Sequence, residues 1–268
     1  MKSTCRPLCA AIVMAFVLPS VAAAQSAASD TPELVTDRPD FTESSEVVGR
    51  GVVQIETGSS FESDGDGAAR ARTLTTPQAL ARIGLSRRVE LRLGSDGFVT
   101  ESLGIGTDRA RTSGYADAEA GAKVRLLEDV AGFDMAIIPM VSMPTGRAGF
   151  SSDGYDPTLK ITWARDLAAG FGLSGNFNVA SATEQGHRRT ERTVSLSLGH
   201  EFGANWGAYW ESYGTVDSGS CACTVNTGLT RALGPHMQAD VEVGRGVTGT
   251  APDWFVGVGF AIRRMPGR

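Results

Sequence analysis

The run Arg88-Val89-Glu90-Leu91-Arg92-Leu93 poses the choice between two folds. Its apolar side chains fall on one face of an extended strand, and Arg88, Glu90 and Arg92 fall on the other. A soluble sandwich would turn the apolar face to a core and the charges to water. A transmembrane barrel inverts this: lipid meets the apolar face and the charges line a polar interior. One segment fits either fold. Twelve such segments behind an export signal fit the barrel.

The same alternation recurs on both sides of that run. Candidate strands fall at about 51–62, 73–85, 87–100, 114–127, 132–143, 156–165, 170–182, 191–202, 205–215, 223–233, 236–246 and 253–264. In 114–127, Ala116, Ala118, Ala120, Ala122, Val124 and Leu126 share one face, and Asp117, Glu119, Lys123 and Arg125 share the other. In 191–202, Val194, Leu196 and Leu198 alternate with Thr193, Ser195 and Ser197. An even strand number suits a single all-β, up-and-down outer-membrane barrel. Short junctions at 86–87, 128–132, 166–169, 203–204 and 233–235 interleave with longer loops near 63–72, 101–113, 144–155, 183–190, 216–222 and 247–252. That asymmetry predicts short periplasmic turns, longer extracellular loops and both termini in the periplasm.

Residues 1–24 read as a cleaved signal peptide. Lys2 and Arg6 form its positive start, Leu8 to Leu18 its apolar stretch, and Ala22-Ala23-Ala24 a small-residue cleavage site. The apolar stretch is too short for a membrane helix. Residues 25–50 then form a leader with a possible plug segment, and 51–268 form the barrel.

Loss of Lys2 and Arg6 leaves 23 basic against 30 acidic side chains, a mildly acidic chain that argues against nucleic acid as a partner. Hydrophobic content is 41%, too low for a helical membrane protein. Cys221 and Cys223 are the two cysteines left after cleavage. They form no framework of the small secreted type and suit a loop clip or free thiols better than a metal site.

Thr36-Asp37-Arg38-Pro39-Asp40-Phe41-Thr42-Glu43 resembles the opening of a family of bacterial outer-membrane proteins associated with the meta-pathway of phenol degradation. Arg82-Ile83-Gly84-Leu85, Val89-Glu90-Leu91-Arg92, Asp117 through Arg125, Pro139 to Gly146, Gln238-Ala239-Asp240 and Ala251 through Gly259 also match, in order. The resemblance implies a twelve-stranded barrel that passes small molecules. Such barrels usually end on an aromatic residue that the assembly machinery reads. This chain ends in a short basic tail, and Phe260 is the candidate for that role.

Two sets of residues carry candidate chemistry. Asp37, Arg38, Pro39 and Asp40 form a gate or plug inside the lumen, or a periplasmic cap that satisfies barrel charges. Glu56, Arg82, Arg88, Glu90, Arg92, Asp117, Glu119, Lys123, Arg125, Lys160, Glu211, Asp240 and Glu242 lie in the inward phase and line the lumen. Their mixed signs favour a salt-bridged interior or a narrow channel for neutral or amphipathic solutes over a pore selective for one ion sign. His187, His200 and His236 have no serine at a spacing that builds a catalytic centre. Trp163, Trp206, Tyr209, Trp210, Tyr213, Trp254 and Phe255 read as membrane-interface aromatics.

The sequence therefore predicts a non-enzymatic outer-membrane channel for small hydrophobic or aromatic molecules, without cofactor or metal. Its partners are membrane lipid, such solutes and the barrel-assembly machinery. A structural or adhesive barrel with a filled lumen is the second reading, and a soluble secreted barrel the third.

Overall fold

A computed structural model describes residues 34–65, 69–217, 220–248 and 250–266. The expected signal peptide and the leader up to residue 33 lie outside these. The described chain forms β1 (Val53–Asp64), β2 (Ala69–Gly84), β3 (Val89–Ser95), β4 (Phe98–Ile105), β5 (Asp108–Tyr115), β6 (Ala118–Val130) and β7 (Phe133–Met143). It continues with β8 (Asp156–Asp166), β9 (Phe171–Glu184), β10 (His187–Phe202), β11 (Trp206–Asp217), β12 (Ser220–Ala232), β13 (Met237–Gly246) and β14 (Trp254–Arg264).

All pairings are antiparallel. β1 pairs with β2 on one side and β14 on the other, so the sheet closes. The ring contains twelve strands, because β4 and β5 stand outside it as a hairpin. β3 pairs with the lower part of β2, over Ala79–Gly84, and with β6. β4 continues its path along the upper part of β2, and β5 pairs with β4.

Residues 101–113, expected as a loop, are thus mostly strand, reversing at Gly106, whose φ of +56° suits glycine. The expected loop 183–190 is likewise a tight β9–β10 hairpin. Gln185 and Gly186 both have positive φ (51° and 78°), the two-residue turn that matches strand twist. Their polar composition reads as loop because these hairpin ends stand beyond lipid and need no apolar face. The expected loops 144–155 and 247–252 do connect strands.

The inverted pattern holds around the ring. Val194, Leu196, Val241, Val243, Val256 and Val258 face outward, each at least 36% exposed. On the inner side, Gln54, Glu56, Arg82, Glu90 and Lys123 are at most 1% exposed. A soluble barrel would reverse these two sets, so the outer belt is a lipid-facing surface of an outer-membrane barrel. Aromatic residues flank it at both ends. Phe61 with Trp254 and Phe98 with Tyr115 lie at the end remote from the termini, while Phe133 with Trp163 and Phe171 with His200 lie at the other. Tyr209, Tyr213 and Phe255, expected among the interface aromatics, instead point into the lumen. They share the inward phase with Glu211 and Ala261, which are 4% and 0% exposed.

Candidate functional site: the segment inside the barrel

Residues 34–52 precede β1 and run through the lumen. Pro39 holds this stretch off any helical path, and its charges find partners on the wall. Asp37 sits where β1, β2, β3 and β6 converge. Its carboxylate accepts from Lys123 Nζ at 2.9 Å to each oxygen, from Arg92 Nη1 at 2.5 Å and from the Ser44 backbone N–H at 2.9 Å. Arg82 Nη1 lies 3.3 Å away. The Asp37 backbone N–H donates to Glu56 Oε2 at 2.9 Å.

Glu43 extends the same pattern. It pairs with Arg92 Nη2 at 2.9 Å and with Lys160, and its carbonyl accepts from Thr162 Oγ1 at 2.5 Å. The wall adds its own acids. Arg82 donates to Glu90 Oε1 at 2.8 Å and to Glu56 Oε1 at 3.1 Å. Four cations (Arg82, Arg92, Lys123 and Lys160) thus meet four anions (Asp37, Glu43, Glu56 and Glu90). A buried charge needs such balance.

The wall from β10 to β13 is different. Glu211, Asp240 and Glu242 project from β11 and β13, and Asp40 faces them. Glu211 accepts from the backbone N–H groups of Phe41 and Thr42 at 2.8 and 2.7 Å, and from Thr42 Oγ1 at 2.6 Å. Thr42 Oγ1 is also 2.7 Å from Ser195 Oγ, and Ser197 donates to Asp40 at 3.1 Å. Arg38 is the cation that reaches this wall: Nη2 lies 3.6 Å from Asp240 Oδ1, and the side chain also donates to Gln78 Oε1 and the Val258 carbonyl, both at 3.3 Å. The interior charges are therefore mixed in sequence but sorted in space.

That sorting sets the acidities along the segment. Burial alone would raise the Asp37 carboxyl, but Arg82, Lys123 and Arg92 outweigh it and hold the group well below the usual carboxylate range. Burial likewise opposes Glu43, yet Arg92 and Lys160 bring it down to about 2. Asp40 moves the other way: burial, then the neighbouring Glu211 charge, push it well above its ordinary value.

Further contacts fix both ends. Gln238 Nε2 donates to Thr36 Oγ1 and Gln54 Nε2 to the Val35 carbonyl, each at 2.9 Å. Arg82 Nη2 donates to the Glu46 carbonyl at 2.7 Å, and the Val48 N–H donates to Glu90 Oε2 at 2.8 Å. A cavity of about 150 Å3 remains beside Arg38, bordered by Glu56, Asp96 and Glu119. A second, about 460 Å3, lies toward the terminal end between Val35, Val48, Gln54, Arg125 and Met265. The Asp37–Glu56 contact stands between them.

Two expected lumen residues lie elsewhere. Arg88 is exposed in the turn before β3, because that strand begins one residue later. Asp117 sits between β5 and β6, where its two carboxylate oxygens accept from the N–H groups of Gly146 and Ser152 at 2.8 and 2.9 Å. It anchors the 144–155 loop. Arg125 lies near the terminal mouth, 2.7 Å from Glu128. Glu119 borders the smaller cavity, and Glu242 accepts from Tyr209 Oη at 3.3 Å.

Sequence reasoning missed Phe41, Thr42, Glu43, Tyr209 and Tyr213. Phe41 stacks on Tyr213 with centroids 4.4 Å apart. The inward phase of Glu211 carries the two tyrosines at two-residue spacing, which was the available signal. The Sγ atoms of Cys221 and Cys223, near the remote end, are 3.6 Å apart.

A family model described as "Putative MetA-pathway of phenol degradation" matches residues 36–263. None of the curated proteins matches the sequence significantly. Among solved structures, an outer membrane channel from Pseudomonas putida F1 is similar in fold, with a TM-score of 0.61 and 11% identity over 82% of this chain and 97% of that one. The KdgM porin gives 0.51 and 11% over 78% and 98%. The transport unit of the autotransporter AIDA-I from Escherichia coli gives 0.50 and 9% over 84% and 94%.

Proposed function

The chain belongs to this phenol-degradation family of outer-membrane barrels, and from that premise we propose that it is a channel for small hydrophobic or aromatic molecules, closed at rest by residues 34–48. The observation that carries the reading is that Asp37 binds Arg82, Arg92 and Lys123 on β2, β3 and β6 while Phe41 and Thr42 bind Glu211 on β11, on the far side of the ring. A segment pinned to both sides of the lumen over so few residues blocks it there.

The lining supports an aromatic solute. Phe41, 37% exposed and stacked on Tyr213, lies on the remote side of the crossing and offers a ring face to a molecule entering from that end. Aromatic pairs favour offset or edge-to-face contact, and a phenolic hydroxyl could exchange hydrogen bonds with tyrosine and threonine groups there. The acidic wall beyond them disfavours anions. Passage needs no cofactor, and Phe260 near the end of β14 serves the assembly machinery as its aromatic signal.

Deletion of residues 36–43 tests the reading. In proteoliposomes the deletion should speed the entry of phenol-sized solutes while the barrel keeps its heat-modifiable mobility. The dense pairing of Asp37 and Glu43 favours a second reading, a permanently filled barrel whose outer loops act. Unchanged permeability in a folded deletion variant would select it and defeat the gate.

A further inference from the structure

The part of β2, β4 and β5 that projects past the apolar belt sorts its charges by face, and the register sets the sorting. Phe61 packs beside Trp254 on the outer surface and pairs with Leu74, and Ser63 pairs with Arg72. Arg72 and Arg70 therefore point outward. They pair across β4 with Ser102 and Gly104, which in turn pair with Arg111 and Arg109 on β5. Four guanidinium groups share one outer patch, separated by two small residues. Arg109 lies over Gly104, its Nη1 3.0 Å from where a Cβ would stand. The acids of these strands take the other face: Glu62 pairs with Thr73, and Thr73 with Glu101.

The arginines bond locally to neutral groups. Arg70 reaches Ser63 Oγ and the Gly65 carbonyl, both at 3.4 Å, and Arg109 reaches the carbonyls of Gly106 and Asp108 at 3.0 and 2.9 Å. Among the described residues, no carboxylate forms an ion pair with any of the four. Their height along the strand is equally specific. Tyr115, 66% exposed and edge-on to Phe98, marks the rim of the belt. Arg111 stands four residues beyond it, about 13 Å at roughly 3.3 Å per residue. The strand tilt of such barrels, about 40°, reduces this to about 10 Å along the membrane normal, from which an extended arginine side chain reaches back toward the headgroup phosphates. Arg192 and Arg245 are outward at the same end: Arg192 pairs with Val216 and Arg245 with Val225, both on the lipid face.

We infer that the Arg70–Arg72–Arg109–Arg111 patch binds the phosphate groups of anionic lipid in the adjacent leaflet, with phosphorylated glycolipid as the occupant. The planar guanidinium matches phosphate oxygens two at a time, and the belt directly below would hold the acyl chains. A soluble polyanion would gain nothing from that belt. The plain alternative is that the arginines only keep the free edge of β5 from pairing with other chains.

The test uses the full-length protein in vesicles of phosphatidylcholine containing either bis-phosphorylated lipid A or its dephosphorylated form. Native mass spectrometry after detergent extraction reads the retained lipid. The expected result is retention of the phosphorylated form at least tenfold above the other, lost in R72Q/R109Q/R111Q and reduced but not lost in R72K/R109K/R111K, which keeps the charge without the bidentate fork. Equal retention of the two lipid forms by the unaltered protein would overturn the proposal without any variant. So would undiminished retention by a heat-modifiable, folded glutamine variant. Displacement of the lipid by inorganic phosphate alone at equal concentration would show an anion site rather than a lipid one, and would also overturn it.

Discussion

Lys123 donates to both carboxylate oxygens of Asp37, and the pair is closed from water: Lys123 is 0% exposed and Asp37 7%. This contact joins a lumen segment to the middle of β6, with Arg82 and Arg92 on the same carboxylate. Asp37→Asn removes one anion and leaves three buried cations short of charge. Breaking one side of such a cluster costs roughly 3–5 kcal/mol. The strand ladders do not depend on Asp37, so the loss should fall on docking of the segment. Single-channel recording should show D37N opening more often than the parent. The double variant D37N/K123M, which removes both partners, should recover part of the closed time. A silent D37N channel with intact heat modifiability would refute the docking role.

Arg38 is held by a different device. Gly58 and Gly259 are register partners on β1 and β14, and the Arg38 guanidinium lies directly against both. A Cβ at Gly58 would stand 2.7 Å from Nη1, and one at Gly259 2.8 Å from Nη2. Neither glycine has positive φ, so alanine is compatible with the backbone and acts through the collision. G58A and G259A should each expel Arg38 from Asp240. The readout is phenylglyoxal modification of Arg38 in folded protein, followed by mass spectrometry: faster modification is expected, and an unchanged rate would place Arg38 elsewhere.

The barrel was legible because period-two alternation survives in each strand and one inverted face repeats. Its projecting parts were not. Above the membrane, β4 and β5 need no apolar face, so Gly104, Gly106, Asp108 and Arg109 read as loop although β2 supplies the ladder. The inward phase put Glu56, Arg82, Glu90 and Arg92 on one strand face, and all four side chains are buried. It could not show that Arg82 and Lys123 face Asp37 while Asp240 faces Arg38, because that sorting depends on barrel closure and the path of residues 34–52. Asp117 followed the alternation on paper but fell in the gap between β5 and β6, where it binds loop N–H groups.

The two faces of β10 should respond differently to charge. Leu196 is 41% exposed on the belt, and arginine there costs roughly 2–4 kcal/mol near mid-bilayer and less toward the interfaces. Ser197, its neighbour, is buried beside Asp40. S197R should displace the lumen segment rather than weaken the strand. Urea unfolding in vesicles should therefore show a lowered midpoint for L196R, while S197R shows raised conductance with a near-parental midpoint. Equal destabilisation by both would reverse the assignment of faces.

Gly106 provides a test of sidedness. It turns the β4–β5 hairpin at the end remote from the termini, and a Cβ added there meets nothing within 4 Å. An epitope inserted after Gly106 should leave the barrel folded and bind antibody on intact cells. Binding only after the outer membrane is permeabilised would put this end, and the arginine patch with it, in the periplasm.

The closing segment should respond to pH in two opposed stages. Asp37 and Glu43 have lowered acidities when docked, Glu43 from 4.5 to about 2. Their contribution to docking is therefore full above about 4.5 and is lost as pH falls toward about 2. Asp40 is raised well above 3.8 when docked, so its ionised form opposes docking at neutral pH and protonation favours it. The sign is opposite: its contribution is complete below 3.8 and fades as pH rises through the raised value. Acidification from neutrality should first reduce open probability, through Asp40, and then increase it below about 4, through Glu43 and Asp37. Conductance recorded from pH 7.5 to 3 should pass through a minimum. D40N should abolish the descending limb and keep the rise. E43Q should open the channel at neutral pH and flatten the acidic rise. A monotonic curve in the parent protein that D40N does not alter would rule out the part assigned to Asp40, and an unchanged acidic limb in E43Q would rule out the part assigned to Glu43.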